Sequence, residues 1–167
     1  GTFVFDTNGE FDDLAEGDLD SETFSYVIDN GVQTSAATVT IDILGVNDGP
    51  AASDVTLFTD EDTGVSANLI DASDAIDPDA SGPIELDSLG GVFLPLSGVD
   101  IFVTIGSGAV VQANRAGDIV YDPSGFFDDL SEGEAALDDF TFVLVDDLGA
   151  GISVNAEVEI EGVNDPV

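Results

Sequence analysis

Hydrophobic and polar residues alternate along several short segments of this chain. In residues 36–44, for example, Val39 and Ile41 flank the polar Thr40, and residues 153–160 alternate in the same way. A period of two residues is typical of a strand with one buried face. No segment sustains the 3.6-residue period of an amphipathic helix. The pattern therefore predicts an all-β protein.

Turn signals divide the chain into short strands. Asp29-Asn30-Gly31 between two apolar segments predicts a hairpin turn. Many short strands separated by such turns favour an antiparallel β-sandwich of immunoglobulin-like or cadherin-like build, here in tandem. The predicted strands are residues 2–5, 23–28, 36–44, 54–59, 65–70, 84–86, 92–94, 99–105, 110–113, 119–121, 139–145 and 153–160.

The sequence contains one long motif twice. Residues 122–134 repeat residues 6–18 without a gap, and both copies later end on Gly-Val-Asn-Asp. Asp122 follows Asp6 by 116 positions, whereas Asn164 follows Asn47 by 117, so the second copy has gained one residue in between. A period of this length corresponds to one domain. The chain is therefore expected to be part of a tandem array.

The repeat divides the chain into unequal units. Residues 53–167 form a complete repeat, residues 49–52 a linker containing Gly49 and Pro50, and residues 1–48 only the closing half of a repeat. Three strands cannot close two packed sheets, and their apolar face would stay exposed to water. We expect either that the sequence begins inside a domain or that another chain supplies the missing strands.

The composition excludes several classes of function. There are 36 acidic residues and a single basic one, Arg115, which gives a formal charge of −35. Nucleic acid and anionic membrane surfaces are excluded because both are bound through Lys and Arg. Without His or Cys the chain has no imidazole base and no thiol nucleophile, so we expect no enzyme. No apolar run is long enough to span a membrane, whereas 43% apolar residues can build a core.

The acidic residues gather in turns that the topology brings together. An antiparallel closing hairpin places each acidic loop beside its Gly-Val-Asn-Asp motif. The 60–62 turn should lie at this same end, and the 71–79 loop at the opposite end, facing the linker. Such a junction suits Ca²⁺, which takes 6–8 oxygen ligands in tolerant geometry, better than Mg²⁺. The alternative is that these are solvated turn residues. The predicted calcium ligands are Asp12, Asp13, Glu16, Asn47, Asp48, Asp60, Glu61, Asp62, Asp77, Asp79, Asp128, Asp129, Asn164 and Asp165.

Several of these motifs occur together in a known family. Asp60-Glu-Asp-Thr63, Asp77-Pro-Asp79, the 127–134 loop and Gly-Val-Asn-Asp-Pro at 162–166 resemble the bacterial VCBS and cadherin-like repeats. These repeats occur in tandem in large secreted, RTX-type adhesins. The resemblance covers residues 51–167 and the closing half of a repeat at 1–50. It implies calcium-dependent β-sandwich modules outside the cell or on the bacterial surface.

We therefore expect a calcium-dependent structural repeat of an extracellular adhesin, of the kind used in cell adhesion and biofilms. Its role would be a rigidified spacer in a long surface-attached rod, with neighbouring repeats as partners. The alternative is a subunit of a surface filament or layer, in which strands from a neighbouring copy complete the first unit. A carbohydrate-binding module would need a row of exposed aromatic residues, and a hydrolase would need an activated nucleophile; the sequence shows neither.

Overall fold

A computed structural model of the chain describes residues 1–80, 82–123 and 125–164, and it confirms the predicted all-β sandwich. A single helical turn, α1, covers Leu69–Ala72. The strands are β1 (Leu19–Asp29), β2 (Thr34–Leu44), β3 (Val55–Asp60), β4 (Val65–Asn68), β5 (Glu85–Leu89), β6 (Val92–Phe93), β7 (Ile101–Thr104), β8 (Val110–Ala113), β9 (Asp118–Asp122), β10 (Ala135–Val145) and β11 (Gly151–Glu161).

The second unit is a two-layer sandwich. One sheet has the order β3-β11-β10-β5-β6, and the other the order β4-β9-β8-β7. Neighbouring strands are antiparallel except β3 and β11, which run parallel. Alternate residues of β10, including Phe140 and Phe142, face the core, where Val111 and Tyr121 of the other sheet are also buried. The period-two pattern thus identifies the inner face of each long strand.

The first unit consists of the hairpin β1–β2 and the segments around it. Leu19 pairs with Leu44 at one end and Asp29 with Thr34 at the other. The bounds of β1 and β2 match those of β10 and β11 when shifted by 116 and 117 positions. The extra residue of the second copy therefore lies in the hairpin turn, which spans residues 146–150 instead of 30–33.

Two strand predictions were wrong. Residues 2–5 form no strand, although they match the start of β9 in the repeat. In the second unit β9 is held between β4 and β8, and the first unit has no counterpart of either partner. The strand predicted at 65–70 ends at Asn68, whose Oδ1 accepts hydrogen bonds from the amides of Ile70 and Asp71 and so caps α1.

One buried carboxylate in the core is satisfied by hydroxyl groups. Asp138 Oδ2 accepts hydrogen bonds from the Tyr121 hydroxyl at 2.8 Å and from Ser107 Oγ at 2.6 Å. Burial, together with the hydrogen bond to the Asp138 carboxylate, raises the pKa of Tyr121 above its ordinary value. The Tyr121–Asp138 hydrogen bond thus connects β9 of one sheet to β10 of the other.

Candidate metal sites at the two ends of the second unit

Both acidic loops close onto their Gly-Val-Asn-Asp motif through the same backbone hydrogen bonds. Gly17 N donates to Gly45 O at 3.1 Å, and Gly133 N donates to Gly162 O at 3.1 Å. A Cβ at Gly45 would lie 2.3 Å from Ala15 O, and one at Gly162 would lie 2.4 Å from the equivalent carbonyl of the second loop. The motif therefore begins with glycine because the loop backbone occupies the space of a side chain.

The linker enters the second unit at what we call the upper end, the end that carries the β10–β11 turn. Ala51 and Ile76 exchange backbone hydrogen bonds of 2.8 and 2.9 Å, and Ser53 N donates to Ser73 O at 2.8 Å. The linker is thereby fixed to the loop that follows α1. The opposite, lower end contains residues 162–164, where the chain leaves β11.

Asn47 and Asp48 are hydrogen-bonded to two buried carboxylates of the upper end. Asn47 Nδ2 donates to Asp146 Oδ2 at 2.9 Å, and Asp48 N donates to Asp79 Oδ2 at 3.2 Å. Asp79 and Asp146 are only 5% and 4% exposed. The Asn47 side-chain oxygen is also buried, yet it accepts no hydrogen bond. These four residues and the half-buried Asp77 are called the upper cluster below.

The upper cluster has no basic side chain to balance its charge. Arg115 is committed elsewhere, with Nε 2.8 Å from Glu85 Oε2 and Nη1 3.1 Å from Asp87 Oδ1. Burying carboxylates together without a cation is unfavourable because both desolvation and mutual repulsion oppose it. A divalent cation would compensate both costs, and Asn47 Oδ1 is a free ligand atom of the type Ca²⁺ prefers.

Asp146 is the member of the cluster that the sequence did not reveal. It lies in the longer turn of the second hairpin, where its Oδ1 accepts hydrogen bonds from Leu148 N and Ala150 N at 2.9 Å each. The next carboxylate, Asp147, lies against Gly82. A Cβ at position 82 would be 2.7 Å from Asp147 Oδ2. The one-residue insertion was the available signal, since it marks the turn that differs between the copies.

Glu61 at the lower end is the second unbalanced group. Its side chain is 0% exposed, and Oε1 accepts a hydrogen bond from Val163 N at 2.9 Å. The other oxygen, Oε2, is buried without a hydrogen-bond donor. A buried carboxylate with an unsatisfied oxygen calls for a cation or a further donor. The predicted ligand Asn164 directly follows Val163, whereas the predicted ligand Asp165 lies outside the described residues.

The other predicted ligands lie at or near the surface. Asp128 Oδ1 accepts from Gly125 N at 3.0 Å, and Asp60 accepts from Asp62 N and from the Thr63 hydroxyl, which lowers the pKa of Asp60. These contacts are ordinary turn caps. The hydrogen bonds described for Asn47 and Asp48 run to the second unit, not to the acidic loop of the first. Asp60 is half-buried, whereas the exposed predicted ligands are Asp12, Asp13, Glu16, Asp62, Asp128, Asp129 and Asn164.

In the part of the chain that the structure describes, no three His, Cys, Asp or Glu side chains are grouped closely enough to form a complete metal site. A cation at the upper cluster would therefore draw on the Asn47 amide and main-chain carbonyls as well as carboxylates.

None of the described helices is long and apolar enough to cross a membrane. Neither a protein-family model nor a curated protein matches the chain.

Proposed function

We propose that the chain is a calcium-dependent structural repeat of an extracellular bacterial adhesin, and that it acts as a rigid spacer. The observation that carries this proposal is the upper cluster. There, the buried oxygen of Asn47 lacks a donor beside the buried carboxylates of Asp79 and Asp146. The resemblance to VCBS and cadherin-like repeats supports it independently.

Calcium at the upper cluster would act on the linker. Asn47 and Asp48 end the first unit, whereas Asp77, Asp79 and Asp146 belong to the second. A cation held by both sets would join the units through ionic contacts in addition to the 49–52 peptide. Without it, the same carboxylates repel one another across a short linker. The expected consequence is a stiff junction with calcium and a bending one without it.

Glu61 gives the lower end a partial site of the same kind. Its unsatisfied oxygen points to a cation at the place where the chain leaves the second unit. A following repeat would then be joined as the linker joins the two units here. Tandem spacers with a cation at each junction are thus the arrangement that both ends support.

The binding strength expected of such sites fits an extracellular setting. Extracellular calcium modules have dissociation constants of roughly 10⁻⁴–10⁻³ M. At about 10 mM calcium the tighter value gives about 2.7 kcal/mol per filled site, because only the folded state binds. Two such sites would supply a large part of a domain's total stability of about 5–15 kcal/mol.

The test is Asp79→Asn, with Asp42→Asn as a control of equal charge change on the exposed side of β2. Asn at position 79 can still accept the hydrogen bond from Asp48 N, so the substitution removes mainly charge. In EGTA we expect Asp79→Asn to raise the melting temperature, because repulsion falls. In calcium we expect it to lower the melting temperature, because a ligand is lost. Asp42→Asn should show no such change of sign.

Solution scattering completes the test. Calcium should lengthen the particle and narrow its range of shapes, and sodium chloride at equal ionic strength should do less, because it only screens charge. If sodium chloride restores shape and stability as fully as calcium does, or if Asp79→Asn acts alike in EGTA and calcium, there is no specific site and the proposal fails.

A further inference from the structure

One side of the second unit has an apolar edge. The large apolar side chains exposed there are Val92 at 45%, Phe93 at 75%, Leu96 at 86%, Val99 at 60% and Phe102 at 73%. All of them belong to residues 92–102, which we call the edge segment. A monomeric protein rarely exposes apolar patches larger than a few hundred Å², and larger ones mark interaction surfaces.

The edge segment connects the outermost strands of the two sheets. β6 is the last strand of one sheet, β7 is the last strand of the other, and residues 94–100 join them directly. The β5–β6 turn also packs against β7, since a Cβ at Gly90 would lie 3.4 Å from Val103 Cγ1. Both edges therefore lie on the same side of the sandwich, whereas β3 and β4 are at the opposite ends of their sheets.

The edge segment is almost free of charge, although the chain has a net charge of −35. Of the 36 acidic residues, only Asp100 lies within residues 88–114. Its two carboxylate oxygens accept hydrogen bonds from Gln112 Nε2 at 2.7 Å and from Asn114 Nδ2 at 3.0 Å. Gln112 belongs to β8 and Asn114 directly follows it, so the charge of Asp100 lies toward β8. An acidic partner therefore meets little repulsion at this edge.

The opposite side of the sandwich is protected against strand pairing by its charges. The exposed Asp54 directly precedes β3, Asp60 ends it, and the exposed Asp62 follows in the turn toward β4. Acidic side chains beside an edge strand keep two copies from pairing there, because pairing would bring like charges together. β7 contains no acidic residue and, among the described residues, pairs only with β8. Its outer edge can therefore accept another strand.

The exposed apolar area is large enough for a stable contact. With about 150–200 Å² for a whole side chain of this size, the exposed fractions correspond to roughly 500–700 Å² per copy. Two such surfaces would together bury about 1,000–1,400 Å², and a specific interface needs about 1,000 Å² or more. A two-fold axis places the same patch on both copies, so one apolar surface is sufficient.

We propose that the edge segment is the contact surface for a second copy of this chain. β7 of one copy lies antiparallel to β7 of the other across a two-fold axis, and the apolar side chains of both edge segments pack together. β6 contributes side chains to the contact, because Pro95 after it has no amide hydrogen for a strand ladder. A second copy brings a matching edge that is equally poor in charge, whereas its acidic surfaces oppose other orientations. The inference goes beyond the proposed function, since calcium joins repeats end to end and this edge joins chains side by side.

The test is sedimentation equilibrium of the full chain in EGTA, at low and at high sodium chloride and at protein concentrations up to about 1 mM. We expect a concentration-dependent dimer whose dissociation constant falls severalfold as sodium chloride rises. The reason is that salt screens the repulsion between two acidic copies but leaves an apolar contact intact. Because EGTA removes calcium throughout, failure here is distinct from failure of the calcium proposal.

Phe93→Asp and Phe58→Asp form a matched pair, since each replaces an exposed phenylalanine of an outermost strand by a charge. Phe93→Asp should weaken the dimer at least tenfold, because each copy then brings a carboxylate into the contact. Phe58 is 65% exposed on β3, at the opposite side of the sandwich, so Phe58→Asp should leave the dissociation constant unchanged. Leu96→Asp repeats the first change outside any strand, and circular dichroism shows whether each variant is folded.

Amide exchange locates the contact within the molecule. Exchange in β7 should slow as the protein concentration rises, whereas exchange in β3 and β4 should not change. A chain that stays monomeric under all of these conditions would overturn the proposal, as would a dimer that Phe58→Asp weakens as much as Phe93→Asp does. A dimer that Phe24→Asp abolishes while Phe93→Asp leaves it intact would lie at the first hairpin and would overturn it as well.

Discussion

The closing hairpin occurs twice in this molecule, once covered and once open. β1–β2 and β10–β11 have equal strand lengths, antiparallel register and acidic loops closed by equivalent hydrogen bonds. Yet Tyr26 is 41% exposed where Phe142 is 1% exposed. Hairpin and loop geometry thus follow from the local sequence, whereas burial depends on strands that lie far away in the chain.

The buried polar group in the core belongs to the covered copy alone. Tyr121 donates to Asp138 across the two sheets, and the matching residues of the first copy are Phe5 and Glu22. Phe5 has no hydroxyl, and Glu22 is exposed. The Tyr121–Asp138 hydrogen bond therefore depends on the hydroxyl of Tyr121 in β9 and is not a property of the hairpin alone.

The hairpin turns differ in a way that affects the junction. In the first copy Asn30 Oδ1 accepts hydrogen bonds from Val32 N and Gln33 N. In the second copy the longer turn uses Asp146, which also accepts a hydrogen bond from Asn47 in the linker. One inserted residue thus coincides with a contact between the two units.

The largest expected difference between the copies concerns their aromatic residues. Phe142→Ala should lower the free energy of unfolding by about 3–5 kcal/mol, because it leaves a cavity in a closed core. Tyr26→Ala at the equivalent position should cost less than about 1 kcal/mol, because the side chain is already exposed to water. Urea unfolding followed by circular dichroism measures both. Equal losses would show that the first hairpin is covered in solution.

Alanine at either of the glycines that begin the two closing motifs should cause a smaller loss of stability, similar for both copies. Gly162→Ala should cost about 1–3 kcal/mol, because its Cβ would overlap the Ser131 carbonyl. Gly45→Ala meets the Ala15 carbonyl at a similar distance and should displace the first loop in the same way. Amide exchange at Gly17 and Gly133 reports each loop separately. If only one glycine tolerates alanine, the two loops are not equivalent in solution.

The smallest expected effect is a loss of stability at high pH that comes from Tyr121. The pKa of Tyr121 is raised by burial, so the folded state holds its proton more tightly than the unfolded chain does. The contribution of Tyr121 to the free energy of unfolding is complete below the ordinary tyrosine pKa of 10.0 and decreases as pH rises above it. The slope attributable to this group approaches about 1.4 kcal/mol per pH unit. Tyr121→Phe should remove that slope, whereas Tyr26→Phe should leave it; the opposite assignment would contradict the structure.

The sequence predicted the sandwich and its long strands because period-two alternation and turn residues are local signals. It was wrong about residues 2–5, since a strand on that segment requires partners that are not in the first unit. It also gave no sign that β3 runs parallel to β11, because strand direction depends on the whole topology.

The sequence predicted some features of the candidate sites and missed others. The expected approach of residues 47 and 48 to the 77–79 loop is seen as the hydrogen bond from Asp48 N to Asp79. Asp146 was missed because a turn aspartate usually caps only its own turn. The burial of Glu61 could not be read from an acidic triplet that resembles an exposed turn. Calcium binding by these residues stays a prediction.

Anomalous difference density in a crystal structure grown with calcium would show whether the ion joins the two units. We expect a peak at the upper cluster within ligand distance, about 2.3–2.6 Å, of Asn47 Oδ1 and of carboxylate oxygens of Asp79 or Asp146. A second peak is expected at Glu61 Oε2. Density confined to the exposed acidic loops, or none at Asn47, would contradict a calcium-stiffened junction.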